Sequence, residues 1–325
     1  MGKKYRNLID KIVSDENMRR AYRLTSKAKK DTSGYLYFKE WSEINLDILK
    51  HSIVDQTYKP SPTRTFTVFE PKPRNITAAA FTDRVVHHAL CGVISPIFEA
   101  TFLPRTFACR DGLGTHAGVK LLQADMRRLG YPSYALKTDF SKYFASIDLQ
   151  ILNKIIRKKI SCEATLWLIE TITPPNGVGI PIGALTSQLY ANIYGSEIDR
   201  RLQCYHGVKY WYRYMDDIVV LGKDSVQLNE IRLDIENYAK LNLKLNFSKW
   251  SIQPISRGVN FLGYRIWPTH KLLRKRSVIR AKRSIEHFIR LNNIDGLRKF
   301  IAAWRGHAEW ADSRNLCKSL GLKIT

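Results

Sequence analysis

No stretch of the 325-residue chain is apolar for long enough to span a bilayer, and its first residues, Met1-Gly2-Lys3-Lys4-Tyr5-Arg6, lack the apolar core of a secretory signal. Cysteine is scarce and scattered. Cys91, Cys109, Cys162, Cys204 and Cys317 contain no C-x-x-C pair, and Cys204 with His206 has no second ligand pair at zinc spacing. An odd count without a framework argues against a disulfide scaffold and for a reducing compartment. The expectation is a soluble, cytoplasmic protein with no membrane attachment. Acid is also in short supply: 29 Asp and Glu stand against 53 Lys and Arg, a net charge of +24. Such an excess calls for a polyanion to offset its self-repulsion. Nucleic acid is the commonest, and counterion release from its phosphates would supply much of the affinity. Charge alone leaves an anionic membrane surface or an acidic partner open.

With 44% hydrophobic residues the chain can bury a large core in two or three packed units. Residues 1–60 read as mostly helical, with loop chemistry at Lys27–Gly34. Residues 64–78 read as extended, β-rich at Thr65–Phe69 and broken by Pro71 and Pro73. Helical spacing returns at 81–99 and 115–129, around a Gly-rich loop at Asp111–Thr115. A strand runs from Tyr134 to Asp139. A helix follows with Asp148 at its N-cap and Leu149, Leu152, Ile155 and Ile156 on one face. Residues 177–183 read as loop and 185–204 as helix. Two β-rich runs, Val208–Tyr214 and Ile218–Leu221, flank Met215-Asp216-Asp217 as a hairpin with acid at its tip. Residues 225–242 read as helix, 259–267 as a single strand, and 275–325 as basic helix. Strands and helices alternate without regular βαβ spacing, so the class is α+β.

Each carboxylate is unremarkable alone, since an Asp-Asp pair in a turn is usually solvated and an Asp after a strand usually caps a helix. Together they suggest more. Mg²⁺ prefers hard oxygen ligands, and two such ions about 3.5–4 Å apart activate a hydroxyl nucleophile and neutralise a leaving phosphate. A strand ending at Asp139, beside a hairpin tip bearing Asp216 and Asp217, would offer those oxygens from rigid elements.

Several stretches then fall into a known order. Leu136-Lys137-Thr138-Asp139-Phe140-Ser141-Lys142-Tyr143-Phe144 resembles motif A of reverse transcriptases, and Tyr214-Met215-Asp216-Asp217 resembles motif C. Leu245–Lys249 is similar to motif D, and Val259–Tyr264 to motif E, the primer grip. The resemblance is collinear from about residue 65 to 267. It implies a right-hand polymerase with mainly fingers at 1–130, palm at 131–268 (an antiparallel sheet with helices on one face) and a helical thumb at 269–325. It implies that Asp139 and Asp216 bind two Mg²⁺ ions, with Mn²⁺ as an alternative, that Asp217 assists, and that the Phe140 carbonyl completes one metal's shell. Lys249 is either a general acid for the leaving pyrophosphate or a lysine that contacts phosphate or solvent. Lys72, Arg74 and Arg110 lie where fingers hold the incoming triphosphate. Phe144 is placed as a steric gate against a 2′-hydroxyl. Tyr214, Met215, Phe261, Leu262, Gly263, Lys275, Arg276 and Arg283 are placed against the nucleic acid. Trp304, His307 and Trp310, three residues apart, are expected to pack the thumb.

The motif B region reads Gly179–Gln188. Ile182, Gly183 and Gln188 occupy the nucleotide side, and retroviral and intron-type enzymes have Gln where this chain has Ile182. The form Ile-Gly-x-x-x-Ser-Gln is similar to reverse transcriptases of diversity-generating retroelements of bacteria and phage. That resemblance implies cDNA synthesis from a template RNA with dNTPs, errors at template adenines, and a small basic pentameric accessory protein as partner. Replacing a polar contact by a van der Waals one weakens discrimination by about 1–3 kcal/mol. A retron- or defence-type enzyme of ordinary fidelity, or a non-catalytic RNA-binding protein on the same fold, are the competing readings.

Overall fold

The computed structural model describes residues 3–69 and 73–320. The chain divides into two compact units, each discontinuous in sequence. Met1–Pro104, Phe140–Arg201 and Glu236–Asn246 form one; Arg105–Asp139, Leu202–Ile235 and Phe247–Thr325 form the other.

The first unit is largely helical. Helix Phe81–Glu99 is its centre and packs against helices Asp15–Ser26 and Leu185–Arg200. Its apolar residues Val85, Val86, Ala89, Leu90 and Ile94 are buried, with the helical spacing that burial requires. The Asn17 side chain ties helix Asp15–Ser26 to helix Phe81–Glu99 by donating to the Ala89 carbonyl at 3.0 Å. Asp148 caps helix Leu149–Arg157 as expected, its carboxylate accepting from the Ile151 N–H at 3.0 Å. The segment at 64–78, read as extended and broken at Pro71 and Pro73, forms two paired strands. Its strands are β1 (Arg64–Phe69) and β2 (Pro73–Ala78), antiparallel, with Phe69 opposite Pro73. Pro73 opens its strand, a position where the missing N–H costs least. Helix Glu163–Ile172 had no counterpart in the sequence reading.

The second unit holds the remaining strands: β3 (Tyr134–Phe140), β4 (Trp211–Tyr214), β5 (Asp217–Gly222), β6 (Phe247–Pro254), β7 (Val259–Phe261), β8 (Tyr264–Ile266) and β9 (Lys271–Leu273). The larger sheet has the order β4-β5-β3-β6 and the smaller β7-β8-β9. Helix Thr115–Leu129 covers one face of the larger sheet: Val119, Leu122 and Met126 share a core with Ala135, Tyr212, Val219 and Leu221. The same core takes in Phe261, Tyr264 and Ile266, and Trp304 and Ala308 of helix Ile294–Ala308.

Three expectations need correction. The run 259–267 is two strands, because Leu262 and Gly263 turn the chain with φ of 48° and 92°. The run read as a strand from Val208 starts only at Trp211. The helix read to 204 is α-helical only to Arg200 and closes in a wide turn at Arg201–Tyr205.

Candidate active site

The alternation of β3 explains the site. Ala135, Lys137 and Asp139 point to one face. In register across the sheet, Ala135 faces Leu221, Lys137 faces Val219 and Asp139 faces Asp217. One face therefore passes from the apolar core to a carboxylate pair at its end.

The tip of β4–β5 is a two-residue turn, Met215-Asp216. Met215 has φ +55°, a conformation glycine holds easily and methionine adopts only when its surroundings impose it. The surroundings are buried and polar. Arg213, wholly buried on β4, donates to the Met215 carbonyl at 3.3 Å. The outer edge of β4 is tied to 105–107: the Phe107 N–H donates to the Arg213 carbonyl, and the Arg213 N–H to the Arg105 carbonyl, both at 3.0 Å. Beneath them buried Asp125 accepts from the Tyr212 hydroxyl and the Arg105 guanidinium, each at 2.7 Å. Sequence reasoning gave none of these supports a role.

Asp139 and Asp216 come within a hydrogen bond of each other, and burial, with the Asp139 charge second, pushes the Asp216 carboxyl up to about 6. Two half-buried carboxylates within a hydrogen bond of each other need a proton or a cation between them. An oxygen-only pair with that unmet charge suits Mg²⁺ or Mn²⁺. Asp217 stands beside the pair, but its Oδ1 accepts from the Lys137 ammonium at 2.6 Å. Burial raises the Asp217 carboxyl, and Lys137 opposes that rise. Among the described residues no three Asp, Glu, His or Cys side chains converge as a ready-made metal site. The arrangement is a close pair with a third carboxylate already partnered. β6 runs beside β3, where the Ser248 hydroxyl donates to the Asp139 carbonyl at 3.0 Å and the exposed Lys249 ammonium lies 3.5 Å from Asp139 Oδ2.

A cavity of about 560 Å³ is lined by Lys137, Lys249, Asn260, Arg265, Arg274 and Lys275. The Nε and Nη2 groups of Arg274 are buried there without a protein acceptor. Lys275, Arg276 and Arg283 are exposed on helix Lys275–Arg290. Phe261 is fully buried, so its ring is core rather than contact surface, while Leu262 and Gly263 are partly exposed at the turn. Tyr214 is half-buried and Met215 nearly enclosed. Arg110 also lies in this unit and donates to the Thr106 carbonyl at 2.9 Å. Trp304 packs inside as expected, but Trp310 is 44% exposed and stacks on His116 at 4.0 Å.

The other nucleotide-side residues belong to the first unit. Lys72 lies outside the described residues. Arg74 is exposed on β2 opposite Val68. Backbone hydrogen bonds seat the 180–182 segment: the Thr77 N–H donates to the Ile182 carbonyl at 2.9 Å, and the Ile180 N–H to the Phe144 carbonyl at 2.8 Å. Gly183 fits because it has no side chain. Its φ is +115°, and a Cβ there would meet Ile76 Cγ2 at 2.9 Å and the Thr77 carbonyl at 3.1 Å. Phe140 is buried at the end of β3, and Gln188 is exposed on helix Leu185–Arg200.

A close acid pair at the end of β3 and the β4–β5 turn, in a chain whose sequence resembles polymerase motifs A to E in order, fits a nucleotidyl-transfer fold. The family profile for reverse transcriptase (RNA-dependent DNA polymerase) matches residues 59–266, so the chain belongs to the reverse transcriptase family and has its polymerase domain. Protein YkfC of Escherichia coli K12 is 26% identical over 284 residues, 72% of each chain. Group II intron-encoded protein LtrA of Lactococcus lactis is 25% identical over 173 residues, 49% of this chain but 28% of LtrA. Telomerase of Candida albicans is similar in structure at a TM-score of 0.48 with 10% identity, over 74% of this chain and 50% of that one. The family works on nucleic acid with RNA as template. Among the described residues no helix is long and apolar enough to cross a membrane.

Proposed function

We propose that this chain is an active RNA-directed DNA polymerase that copies a template RNA into cDNA from dNTPs. The observation that carries the reading is the Asp139–Asp216 pair, half-buried and mutually repelling, with Asp139 at the end of β3 and Asp216 in the turn beside it. When bound, Mg²⁺ or Mn²⁺ supplies charge neutralisation at the primer hydroxyl and the leaving pyrophosphate. Asp139 and Asp216 hold it, with the Phe140 carbonyl as a further oxygen and Asp217 assisting. The chain's own part is alignment. Lys72, Arg74 and Arg110 engage the triphosphate. Phe144 lies under the sugar and excludes a 2′-hydroxyl. Lys249 is placed to meet the pyrophosphate as it leaves, by donating a proton or by charge.

The duplex is held by the 262–263 turn and by the first turns of helix Lys275–Arg290. That helix begins with Lys275 and Arg276 and has no acid in its first turn. Cations at a helix N-terminus oppose the helix dipole, which an external phosphate would reverse. The unpaired Arg274 donors at the same place point the same way. In this reading residues 1–130 are mainly fingers, 131–268 palm and 269–325 thumb.

The finer reading is a diversity-generating retroelement enzyme, with Ile182 in place of a polar contact to the nucleotide, Gln188 closing the motif, errors at template adenines, and a small basic pentameric accessory protein as partner. Copying an adenine-rich RNA and sequencing the cDNA tests it. Misincorporation concentrated opposite adenine supports the mutagenic reading. Uniformly accurate cDNA leaves an ordinary-fidelity reverse transcriptase, and no cDNA from any primed RNA leaves an RNA-binding protein.

A further inference from the structure

Apart from the acid pair, the second unit carries another cavity, of about 500 Å³. Its lining includes Leu113, Thr115, His116 and Lys120, from helix Thr115–Leu129 and the loop before it, and His307 and Trp310 from the C-terminal helical segment. That volume is in the range of small-ligand pockets. No acid is among its lining residues, and Lys120 is exposed there.

Trp310 lies just past helix Ile294–Ala308, whose Trp304 and Ala308 belong to the core. A tryptophan left 44% exposed forgoes the burial that Trp304 obtains. Its ring is held all the same. It stacks on His116, with 4.0 Å between ring centres and planes 13° apart. His116 is backed by the buried Tyr264, whose hydroxyl lies 3.5 Å from His116 Nε2 and 2.8 Å from His307 Nδ1 and donates to the His307 carbonyl at 2.9 Å. The turn that carries Trp310 is pinned as well. The Asp312 N–H donates to the Lys271 carbonyl at 2.8 Å, the Lys271 N–H to the Asp312 carboxylate at 2.9 Å, and the Ser313 hydroxyl to the Ala308 carbonyl at 2.7 Å. A half-exposed indole stacked on one ring and set on a pinned turn is a preorganised platform, which binds a flat partner without the cost of ordering itself.

A nucleobase is the flat group that suits this cavity. Each nucleotide brings a phosphate that an exposed lysine can meet, and aromatic stacking beside cationic side chains is how single strands are held without sequence readout. A base inside a duplex does not qualify, because its neighbours already cover both of its faces. We propose that the Trp310–His116 platform binds an unpaired nucleotide of single-stranded RNA, with the base stacked on Trp310 and the adjoining phosphate against Lys120. The inference does not rest on the polymerase reading, since neither the acid pair nor a metal takes part.

The test is binding of a dye-labelled single-stranded RNA of ~10 nucleotides to the full-length protein in EDTA, read by fluorescence anisotropy across a salt series. Trp310→Ala binds about 10-fold more weakly, the loss of one base stack, with an unchanged slope of log K against log salt. Trp310→Phe stays within about 3-fold of the parent, because a smaller ring still stacks. Lys120→Gln lowers the slope by ~0.7, one phosphate contact on a single strand. Trp41→Ala, which removes a tryptophan 60% exposed in the other unit, binds like the parent. In parallel, RNA carrying 5-iodouridine is irradiated on the parent protein, and a covalent adduct forms on a peptide that contains Trp310 or His116; this readout needs no variant to fold. Parental affinity in a folded Trp310→Ala protein would overturn the proposal. So would an equal loss in Trp310→Phe, a lowered salt slope in Trp310→Ala, or adducts confined to other peptides. A protein that meets every expectation but extends no primer loses the polymerase reading alone.

Discussion

Consider the metal-free protein carrying Asp216→Asn. Unfolded, the Asp216 carboxyl titrates near 3.8; folded, burial and the Asp139 charge raise it to about 6. At pH below 3.8 the group is protonated in both states and ionisation contributes nothing. From 3.8 to 6 the unfolded chain releases its proton first, so stability falls as pH rises, by up to ~1.4 kcal/mol per pH unit. Above pH 6 the penalty is constant at ~3 kcal/mol, the product of that slope and a shift of about two units. Asparagine has no proton to lose and carries no such penalty. A unit of this size shifts its Tm by ~2–4 °C per kcal/mol, so the variant should melt ~6–12 °C above the parent at pH 8 in a chelator. The difference should vanish near pH 4, grow up to pH 6 and stay level beyond. Mg²⁺ added to the parent should narrow it, because a cation binds the folded acid pair and not the unfolded chain. The same variant should extend no primer. Thermal melts from pH 4 to 8 in EDTA are sufficient. A Tm difference that is negative at pH 8, or flat from pH 4 to 8, would refute the claim that Asp139 and Asp216 form an unrelieved charge pair.

Other outcomes follow from neighbouring residues. Phe144→Ala should admit ribonucleotides, raising the rNTP-to-dNTP ratio of kcat/KM by about 100-fold, as removal of a steric block of ~3 kcal/mol allows; competition extension assays read this. Ile182→Gln should lower misincorporation opposite adenine by about 5–100-fold, the equivalent of one polar contact of ~1–3 kcal/mol, as measured by cDNA sequencing. Changing Lys275, Arg276 and Arg283 together to Gln should cut the slope of log K against log salt for a template–primer duplex by ~2–3, one phosphate contact for each cation removed. Arg213→Met should cost ~3 kcal/mol or more by chemical denaturation, because it removes the buried donor to the Met215 carbonyl and strands the polar groups around it.

The acid end of the larger sheet was partly legible before the structure. Asp139 ends a β-rich run and Asp216 and Asp217 stand between two others, and strand pairing sets Asp139 opposite Asp217. The Asp148 cap and the long apolar helices were also legible, because capping and 3.6-residue spacing are local properties. The failures were non-local or backbone-driven. Leu262 gives no hint that it takes φ +48°, so the hairpin of β7 and β8 read as one strand. β6, largely exposed along its first half, has no apolar alternation to mark it and is found only by pairing with β3. The role of Gly183 depends on Ile76, more than a hundred residues away, and no local pattern foretells that approach.

The clamp between β2 and the 182–183 segment has an evolutionary consequence. Ile182 is anchored through its carbonyl, an atom every amino acid possesses, while Gly183 secures the close approach. The loop's seat and the chemical character of its side chain are therefore inherited separately. A lineage can exchange the side chain at 182, and with it whatever that side chain touches, without first rebuilding the scaffold that carries it.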